Sequence, residues 1–505
     1  MNVVWLKRDL RLADHRPLVE ACARGQVLVV YVVEPEWLAQ PETDPSHVAL
    51  LAQGLAELRE GLRRLGGELV IRVGSLPGAF EALHRERPFT ALFSHEETGN
   101  DVTYARDKRV AHWCRAQGIP WHEYPQTGVV RRLGGRDGWS RRWEERMKAP
   151  LLAAPGAVPA VHWPGLDPGP LPDEVSQGLP RSGKPDAQRG GMRAAEATLD
   201  SFLSARGQDY ARAMSSPVTA WEGCSRLSVA LAQGHLSLRQ VVHAVEARRR
   251  ALADEHAAEA GRWRTSLRAF DARLRWHCHF MQKLESEPEI EFRNFNRALD
   301  GLREADFRED RFAAWARGET GYPMVDACMR ALLHTGWINF RMRAMLVSFA
   351  SYDLWLHWRQ TGLHLARHFL DFEAGIHWSQ VQMQSGTTGI NTLRIYSPTK
   401  QVLDHDPHGT FIRRWVPALA RVPDGFLAEP WAMPPLLQRA VGCVIGRDYP
   451  APIVDHKAAV AEARKHLAAF RRTPEARRES ARVMQRHGSR KRPGRAGRAT
   501  RSPSP

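Results

Sequence analysis

Short apolar runs alternate with amphipathic stretches over residues 1 to about 130. Strands that alternate with helices in the chain pair in parallel, so the pattern predicts a doubly wound α/β sheet. A Gly-x-Gly-x-x-Gly motif does not open its first turn, so a conventional dinucleotide site is not expected there. The predicted strands are 3–6, 27–33, 69–71 and 91–93, and the predicted helices are 16–24, 48–65, 78–87 and 102–117.

The rest of the chain divides by composition. Residues 149–192 are rich in Pro and Gly, which predicts a long interdomain connector. Residues 196–470 have helical spacing nearly throughout, with capped starts such as Ser237 before Leu238. We therefore expect an all-α domain after the α/β domain.

Charge concentrates at the end of the chain. Residues 471–505 hold 12 basic and two acidic side chains, which account for ten of the net +16 charges. A basic segment with Ser, Pro and Gly and without apolar periodicity is predicted to be disordered and attracted to polyanions. This favours contact with nucleic acid over a purely solubilising role.

Cysteine spacing and hydropathy exclude other classes of protein. The six cysteines lie far apart without a C-x-x-C pair, which argues against a disulfide framework, a zinc site of usual spacing or a local iron–sulfur motif, and we expect no metal. No apolar run approaches the roughly 18 residues of a membrane span, and the charged first residues do not resemble a signal peptide. We expect a cytoplasmic protein.

Polar residues crowd among tryptophans in the predicted helical domain. Buried charges need partners, so Arg–carboxylate pairs that line a cavity are expected here. A polar, aromatic-walled cavity suits a large planar cofactor, although most of the tryptophans are expected to pack in the core. The polar residues are Arg341, Arg343, His364, Arg367, His368, Asp371, Glu373 and His377.

Seven segments, in order along the chain, resemble the photolyase/cryptochrome family. The resemblance as a whole extends from residue 3 to about 465 and covers both predicted domains. The segments are WLKRDLRLADH (5–15), GCSRLS (223–228), TGYPMVDACMR (320–330), TGWINFRMR (335–343), RIYSP (394–398), FIRRWVP (411–417) and YPAPIVDH (449–456).

The resemblance implies an N-terminal antenna domain and a helical domain that binds FAD without a covalent bond. A second, antenna chromophore (a folate or a deazaflavin) is also implied, and its identity stays open. In such a protein Ser225, Arg226 and Ser228 would offer donors and a positive charge to the FAD pyrophosphate. The implied cofactor-binding residues are Tyr210, Cys224, Ser225, Arg226, Leu227, Ser228, Phe270, Arg343, Asp371, Phe372, Glu373 and His377.

The resemblance also implies damaged DNA as the partner of a monomeric chain, associated with the nucleoid in a prokaryote. Photolyases move the damaged bases out of the duplex into a pocket with an aromatic wall. Trp276 matches the family tryptophan that stacks on the dimer. The residues expected to contact DNA are Arg273, Trp276, Asn339 and Arg341.

Several positions depart from the family pattern. Arg273 replaces a dimer-contacting glutamate of cyclobutane-dimer enzymes, Phe340 replaces an asparagine, and Ala344 replaces a methionine. Phe340 and Ala344 also occupy the positions of the histidine pair of (6-4) enzymes. His377 stands where an Asn or Asp faces the flavin N5.

The three-tryptophan electron relay of the family keeps only its middle member, Trp358. Val381 holds the proximal position, and the distal one falls near Ala305. Trp378 lies three residues before Val381 and shares a helical face with it, so it either occupies the space of the missing ring or only packs in the core. We further expect photoreduction to depend on Trp378 and on pH through His377, with Trp276, His377, Trp358 and Trp378 as the catalytic set.

Three functions remain open at this point. The first is light-driven repair of a pyrimidine dimer in DNA by electron transfer from reduced FAD. Trp276 and the basic tail favour it. The second is a cryptochrome-like blue-light photoreceptor without repair activity, which the loss of the glutamate and asparagine favours. A helical oxidoreductase has little support, because the sequence shows no nicotinamide site.

Overall fold

A five-stranded parallel sheet forms the first domain of the computed structural model, which describes residues 1–253 and 257–488. The strand order is β3-β2-β1-β4-β5, and central β1 pairs through Val3 with Leu28 on one side and Leu92 on the other. The predicted doubly wound sheet is confirmed. The strands are β1 Asn2–Leu6, β2 Val27–Val33, β3 Leu69–Val73, β4 Ala91–His95 and β5 Trp121–Tyr124.

Helices cover both faces of this sheet. The four predicted helices are present, and α3 begins three residues earlier than predicted because the Asp44 side chain caps it by accepting from the Ser46 N–H. The edge strand β5 was not predicted, since its half-buried residues Trp-His-Glu-Tyr form no apolar run. The helices are α1 Arg16–Ala23, α2 Pro35–Leu38, α3 Pro45–Arg64, α4 Gly78–Glu86, α5 Asp101–Ala116 and α6 Trp139–Lys148.

The Pro/Gly-rich connector lies along the first domain. The Val27 N–H donates to Pro159 O and the Ile71 N–H donates to Pro168 O, both at 2.8 Å. Val158 is buried in the core beside the sheet. The connector is therefore a strap fixed to the sheet before the chain enters the second domain.

The second domain is helical, as expected. Its centre is α14, which is buried along most of its length, and α12 packs against α17. The helices are α7 Met192–Ser204, α8 Tyr210–Ala213, α9 Pro217–Gly223, α10 Ser228–Gln233, α11 Leu238–Ala251, α12 Ala257–Ser286, α13 Glu309–Arg317, α14 Pro323–Thr335, α15 Phe340–Ser348, α16 Trp358–His368, α17 Ala374–Ser385, α18 Pro398–His405, α19 Thr410–Trp415, α20 Asp424–Leu427, α21 Pro435–Val441, α22 His456–Arg471 and α23 Pro474–His487.

The segment after β1 joins the two domains. Arg8 donates from Nε to Ala232 O at 2.8 Å and from Nη2 to Phe372 O at 2.6 Å. Gly234 lies against this segment with φ +69°, and a Cβ there would be 2.2 Å from Arg8 O, so only glycine fits. The opening motif therefore holds the 371–373 segment of the helical domain in place.

Asp9 forms a buried cluster with two histidines just beyond β1. Its Oδ2 accepts from His15 Nε2 at 3.0 Å and from His95 Nδ1 at 2.7 Å. His15 Nδ1 accepts the Leu18 N–H, so Nε2 carries the proton. A protonated nitrogen has no lone pair for a metal, and the cluster is a hydrogen-bonded support of the motif.

The prediction of a disordered tail from residue 471 is wrong for residues 474–487. Here α23 packs on the helical domain with Ala476, Val483 and His487 buried. The spacing of these three positions places them on one helical face, and Arg482 and His487 of the same helix bond to Glu287, so a helix of otherwise basic composition is docked. Residues 489–505 of the predicted tail lie outside the described residues. Within the described chain, no helix is long and apolar enough to cross a membrane.

Candidate functional site

Arg343 and Asp371 form a bidentate ion pair between α15 and the segment before α17. Nη1 and Nη2 of Arg343 donate to the two carboxylate oxygens, each at 2.9 Å. Burial raises the pKa of Asp371, but attraction to Arg343 and its hydrogen bonds outweigh burial and leave this pKa below its usual value. The carboxylate is thus charged, and the pair predicted from the sequence is present.

Glu373 forms a second ion pair, with His277 of α12. Oε2 of Glu373 lies 2.8 Å from His277 Nε2, and each side chain is 12% exposed. Burial lowers the pKa of His277, but the carboxylate of Glu373 raises it well above its usual value. We did not predict His277 from the sequence, since a lone histidine in a long helix carries no motif.

Arg226 packs against two tryptophan rings that are in edge-to-face contact with each other. Its guanidinium carbon is 3.8 Å from the Trp221 ring centroid and 4.1 Å from that of Trp337. The residue is half-buried, and its Nε is buried without a hydrogen-bond partner among the described residues. A guanidinium that two rings hold in place, with a donor still unused, is suited to an anionic group such as a phosphate.

The predicted phosphate-binding loop surrounds Arg226. Arg206 holds it by donating from Nη1 to Glu222 O and Cys224 O, each at 2.7 Å, a role that no sequence motif indicated. Ser225 Oγ accepts the Leu227 N–H within the loop. Ser228 begins α10, and its side chain helps to lower the pKa of Asp371. Burial raises the pKa of the Cys224 thiol to about 12, so it is uncharged.

Tyr210 and Phe270 lie in the core behind this loop. Phe270 packs against Phe202 at 4.8 Å and Tyr210 at 5.7 Å between ring centroids, and both predicted residues are buried. Neighbouring aromatic rings enclose the Phe270 side chain, and its contact with the cofactor stays a prediction. Burial raises the pKa of Tyr210 to about 12, and the nearby Arg273 opposes this shift.

Two of the residues predicted to contact DNA, Arg273 and Asn339, contact one short segment, Met214 and Ser215. Trp276 is 43% exposed and carries the Arg273 guanidinium 4.2 Å from its ring centroid. Asn339 is buried and donates to both Met214 O and Ser215 O at 3.1 Å, so it supports this segment, and its contact with DNA stays a prediction. Arg341 lies in the first turn of α15. Its Nε is buried and has no hydrogen-bond partner among the described residues.

His377 is buried on α17 and donates from Nε2 to Gly362 O at 2.8 Å. Burial lowers its pKa from 6.5 to about 4. The expectation that His377 changes charge between pH 5 and 8 is therefore wrong, since the imidazole stays neutral over that range. Phe372 packs on its ring at a centroid distance of 5.3 Å.

Trp378 and Trp358 are in edge-to-face contact, with ring centroids 5.9 Å apart. The Trp378 ring packs on Gly362 next to Val381, as expected from the helical spacing. The Trp358 indole N–H donates to Asn294 Oδ1 at 2.8 Å. Both rings are fully buried, and together they form a continuous aromatic path from beside His377 toward the 287–297 segment.

A second cleft lies at the carboxyl ends of the strands. It has a volume of about 870 Å³ including its open mouth and is bordered by Trp5, Tyr31 and Trp37 from the first domain and by Phe372 from the second. Arg106 joins its charged residues by donating to Glu34 at 2.8 Å and Glu97 at 2.5 Å. Aromatic walls with fixed charges suit a second planar ligand.

These features define a protein with a planar, anionic cofactor in its helical domain. The ion pairs of Asp371 and Glu373, the unpaired Arg226 Nε and the aromatic opening fit the adenine dinucleotide, phosphates and ring system of FAD. When bound, FAD supplies light absorption and electron transfer.

Comparison with known proteins gives the family. Residues 2–132 match the family model for DNA photolyase, and residues 270–469 match that for the FAD binding domain of DNA photolyase. The chain is 31% identical to the deoxyribodipyrimidine photo-lyase of Streptomyces griseus, over 92% of this chain and 97% of that protein. It is 28% identical to cryptochrome DASH of Gloeobacter violaceus, over 90% of this chain and 93% of that protein.

A solved structure of a photolyase is also similar to this chain over nearly its full length. The class III photolyase of Agrobacterium tumefaciens superposes with a TM-score of 0.80 at 26% identity, over 94% of this chain and 98% of that one. The chain belongs to the photolyase/cryptochrome family and carries its FAD-binding domain. Relatives of both kinds, repair enzymes and cryptochromes, are similar to it.

Proposed function

We propose that this protein repairs a pyrimidine dimer in DNA by light-driven electron transfer from reduced FAD. The observation that carries the proposal is Trp276, a large aromatic side chain that is 43% exposed at the mouth of the cofactor site with Arg273 against it. An exposed ring stacks on a base that has left the duplex, and an adjacent guanidinium attracts the flanking phosphate.

The residues of the chain have distinct tasks in this reaction. Arg226 holds the pyrophosphate, while Arg343 keeps Asp371 charged beside the flavin. Reduced FAD held by these residues would supply an electron to the lesion and take it back after the bonds between the two pyrimidines have broken, so one repair cycle would consume no oxidant or reductant. Trp276 orients the dimer by stacking, which shortens the distance over which the electron moves.

We further propose that the cleft at the carboxyl ends of the strands holds the antenna chromophore, a folate or a deazaflavin. Lys7 lies 4.3 Å from the Trp5 ring centroid in its wall and is paired with Asp107 at 3.0 Å, so it fixes the position of this aromatic wall. Phe372 borders this cleft and also contacts His377 in the helical domain, so excitation energy would have a short path to the flavin site.

A second candidate function is a blue-light photoreceptor without repair activity. The observation that favours it is the opening itself, where Arg273 and Phe340 replace the dimer-contacting groups of cyclobutane-dimer enzymes. The similarity to cryptochrome DASH is compatible with this function. Both functions use the same FAD site, so cofactor binding does not distinguish them.

The decisive experiment is a repair assay. Purified protein with reduced FAD is mixed with oligonucleotides that carry either a cyclobutane dimer or a (6-4) product, under blue light and in darkness. We expect light-dependent restoration of one lesion, loss of most activity in Trp276→Ala, and normal activity in Tyr104→Ala, a matched exposed aromatic on α5. Failure to restore either lesion would overturn the repair function in favour of the photoreceptor.

A further inference from the structure

Arg303, in the segment before α13, is a buried arginine whose side chain forms no ion pair within the described chain. The residue is 1% exposed. Its Nη2 donates to Ser385 O at 3.2 Å, whereas its Nε and Nη1 are buried and have no hydrogen-bond partner among the described residues. Burial lowers the pKa of Arg303 to about 10, so the guanidinium is still charged at neutral pH. A buried charge needs compensation, and this one has two unused donor atoms.

Two aromatic rings lie beside Arg303 and compensate its charge only in part. Its guanidinium carbon is 4.4 Å from the Trp355 ring centroid and 5.7 Å from that of Tyr352. The face of a ring attracts a cation but is a weak acceptor of hydrogen bonds. Trp355 has φ +56°, which is uncommon for a bulky residue, and strained backbone of this kind is frequent at ligand sites.

The carboxylate that acts on Arg303 by its charge is Glu304, and the oxygens of Glu304 are used elsewhere. Oε2 accepts the backbone N–H of Arg303 and Oε1 accepts that of Gly301, each at 2.8 Å. Oε1 also lies 3.6 Å from His357 Nε2, and the Glu304 side chain is 43% exposed. Glu304 therefore does not satisfy the guanidinium donors of Arg303.

The Tyr352 hydroxyl is a further unused donor close to Arg303. It is buried without a hydrogen-bond partner among the described residues, and burial raises its pKa to about 12, so it keeps its proton. A Cβ at Gly386 would lie 2.7 Å from this hydroxyl. Gly386 follows Ser385, whose carbonyl accepts from Arg303, so the hydroxyl and the guanidinium meet at the turn after α17.

Arg471, the last residue of α22, brings a second positive charge to Tyr352. The charges of Arg303 and Arg471 both oppose the rise in the Tyr352 pKa that burial causes. Arg471 Nη2 donates to Asn391 O at 2.9 Å, and its buried Nε has no hydrogen-bond partner among the described residues. Its side chain, like that of Arg303, forms no ion pair within the described chain. Two guanidinium groups with the single carboxylate of Glu304 leave one positive charge at this place.

We propose that Arg303, Tyr352 and Arg471 bind a small monovalent inorganic anion such as chloride. Their four unused N–H and O–H donors, together with one uncompensated positive charge, suit an acceptor that carries a negative charge. One negative charge restores neutrality. Arg303 and Tyr352 are each 1% exposed, so a large organic anion has no access to them. The anion joins the segment before α13, the turn after α17 and the end of α22, apart from the residues of the FAD site.

The dependence of stability on chloride tests the proposal without light or DNA. The FAD-loaded protein is unfolded thermally in a series of sodium chloride concentrations, with sodium gluconate added to keep the ionic strength constant. A ligand that binds only the folded protein raises its melting temperature as the ligand concentration rises. We expect the wild type to melt a few degrees higher in chloride than in gluconate, and bromide and nitrate to act in the same way.

Three variants assign this response to the site. Arg303→Met removes the unpaired charge and keeps a long side chain, so it should be at least as stable as the wild type in gluconate and gain nothing specific from chloride. Tyr352→Phe should weaken the chloride response without abolishing it. Arg308→Met removes an exposed arginine that is paired with Asp310, and as the matched control it should respond as the wild type does.

A crystal soaked in bromide locates the anion directly. We expect an anomalous scattering peak within hydrogen-bond distance of Arg303 and Tyr352. The absence of that peak, or an equal chloride response in the wild type and Arg303→Met, would overturn the site. A response to sulfate alone that Arg303→Met abolishes would overturn the assignment to a monovalent anion. If Arg303→Met does not fold, the bromide peak and the Tyr352→Phe response decide the question.

Discussion

The Trp378 indole packs directly on the backbone of Gly362, and the two residues fit only because Gly362 has no side chain. A Cβ at position 362 would lie 2.8 Å from Trp378 Cζ3, closer than real contacts allow. Gly362 lies within α16 at an ordinary helical φ, so space and not backbone conformation requires glycine there. This contact brings the Trp378 ring to Trp358.

We predict that Gly362→Ala and Trp378→Phe both slow photoreduction of the flavin several-fold. Alanine at 362 pushes the indole away from Trp358, and phenylalanine at 378 keeps the shape but is harder to oxidise. Loss of blue-light absorbance of the oxidised protein, with an external thiol as the electron source, measures the rate. A wild-type rate in Trp378→Phe would show that electrons take another route.

Measurements of stability show whether the effect of Gly362→Ala comes from its contact with Trp378 or from replacing any helical glycine. Gly362→Ala is expected to cost about 1–3 kcal/mol in the free energy of unfolding, because the core has no room for the methyl group. Gly261→Ala is the matched control, since Gly261 is also within a helix and has open space around its Cα. That variant is expected to stabilise the protein by up to about 1 kcal/mol.

Arg226 is predicted to anchor FAD. Arg226→Ala should weaken FAD binding by about 1.5–3 kcal/mol, the range for hydrogen bonds to charged groups. Arg226→Lys should recover little of this, because an ammonium lacks both the planar face that packs on the indole rings of Trp221 and Trp337 and the several N–H donors of a guanidinium. Fluorescence of FAD released on dilution measures the affinity, with the exposed Arg212→Ala as control. Unchanged affinity in Arg226→Ala would contradict the assignment.

Periodicity was sufficient to predict the four buried strands, and a family resemblance located the Arg343–Asp371 pair. Neither revealed β5, whose polar residues form an edge strand. The role of His277 depends on meeting Glu373 across 96 residues, a contact that local spacing cannot show. The neutral state of His377 likewise comes from burial beside Gly362 O, which no sequence pattern encodes.

His377 is expected to lower stability in acid. Its pKa is about 4 in the folded protein and 6.5 when unfolded, so the unfolded chain binds the proton more readily. The stability associated with neutral His377 is complete above about pH 6.5 and falls as the pH drops toward 4. Between pH 7.5 and pH 5 the loss of this stability amounts to about 2 kcal/mol.

The variant His377→Asn tests this expectation. Asparagine does not titrate, so the difference in unfolding free energy between wild type and variant should shrink by about 2 kcal/mol from pH 7.5 to pH 5. Urea unfolding at several pH values gives this difference. The photoreduction rate should show no His377-dependent step between pH 5 and 8. A constant stability difference over this range would mean that His377 is not buried in the neutral form.

The C-terminal helix α23 is held by Glu287, a buried carboxylate at the end of α12. Arg482 donates to it from Nη1 at 3.2 Å, His487 Nε2 lies 2.6 Å away, and Arg297 donates at 2.9 Å from its other side. We predict that Glu287→Gln destabilises the docked helix by about 2 kcal/mol, the order expected for hydrogen bonds to a charged group. Glu475→Gln, on the exposed side of α23, is the control and should change little.

The docking of α23 should also weaken in acid. Burial raises the pKa of Glu287, but the hydrogen bond from His487 and the charges of Arg482 and Arg486 outweigh it and bring this pKa from 4.5 to about 2. A carboxylate with a lowered pKa stabilises the fold above about pH 4.5, and this contribution is lost as the pH falls toward 2.

Hydrogen exchange of the amides of 474–487 should therefore accelerate between pH 4.5 and 3, after correction for the intrinsic pH dependence of exchange. In Glu287→Gln the same amides should already exchange rapidly at pH 6 and show little further change. Slow exchange in that variant at pH 6 would show that apolar contacts of Val483, and not the Glu287 cluster, hold the helix.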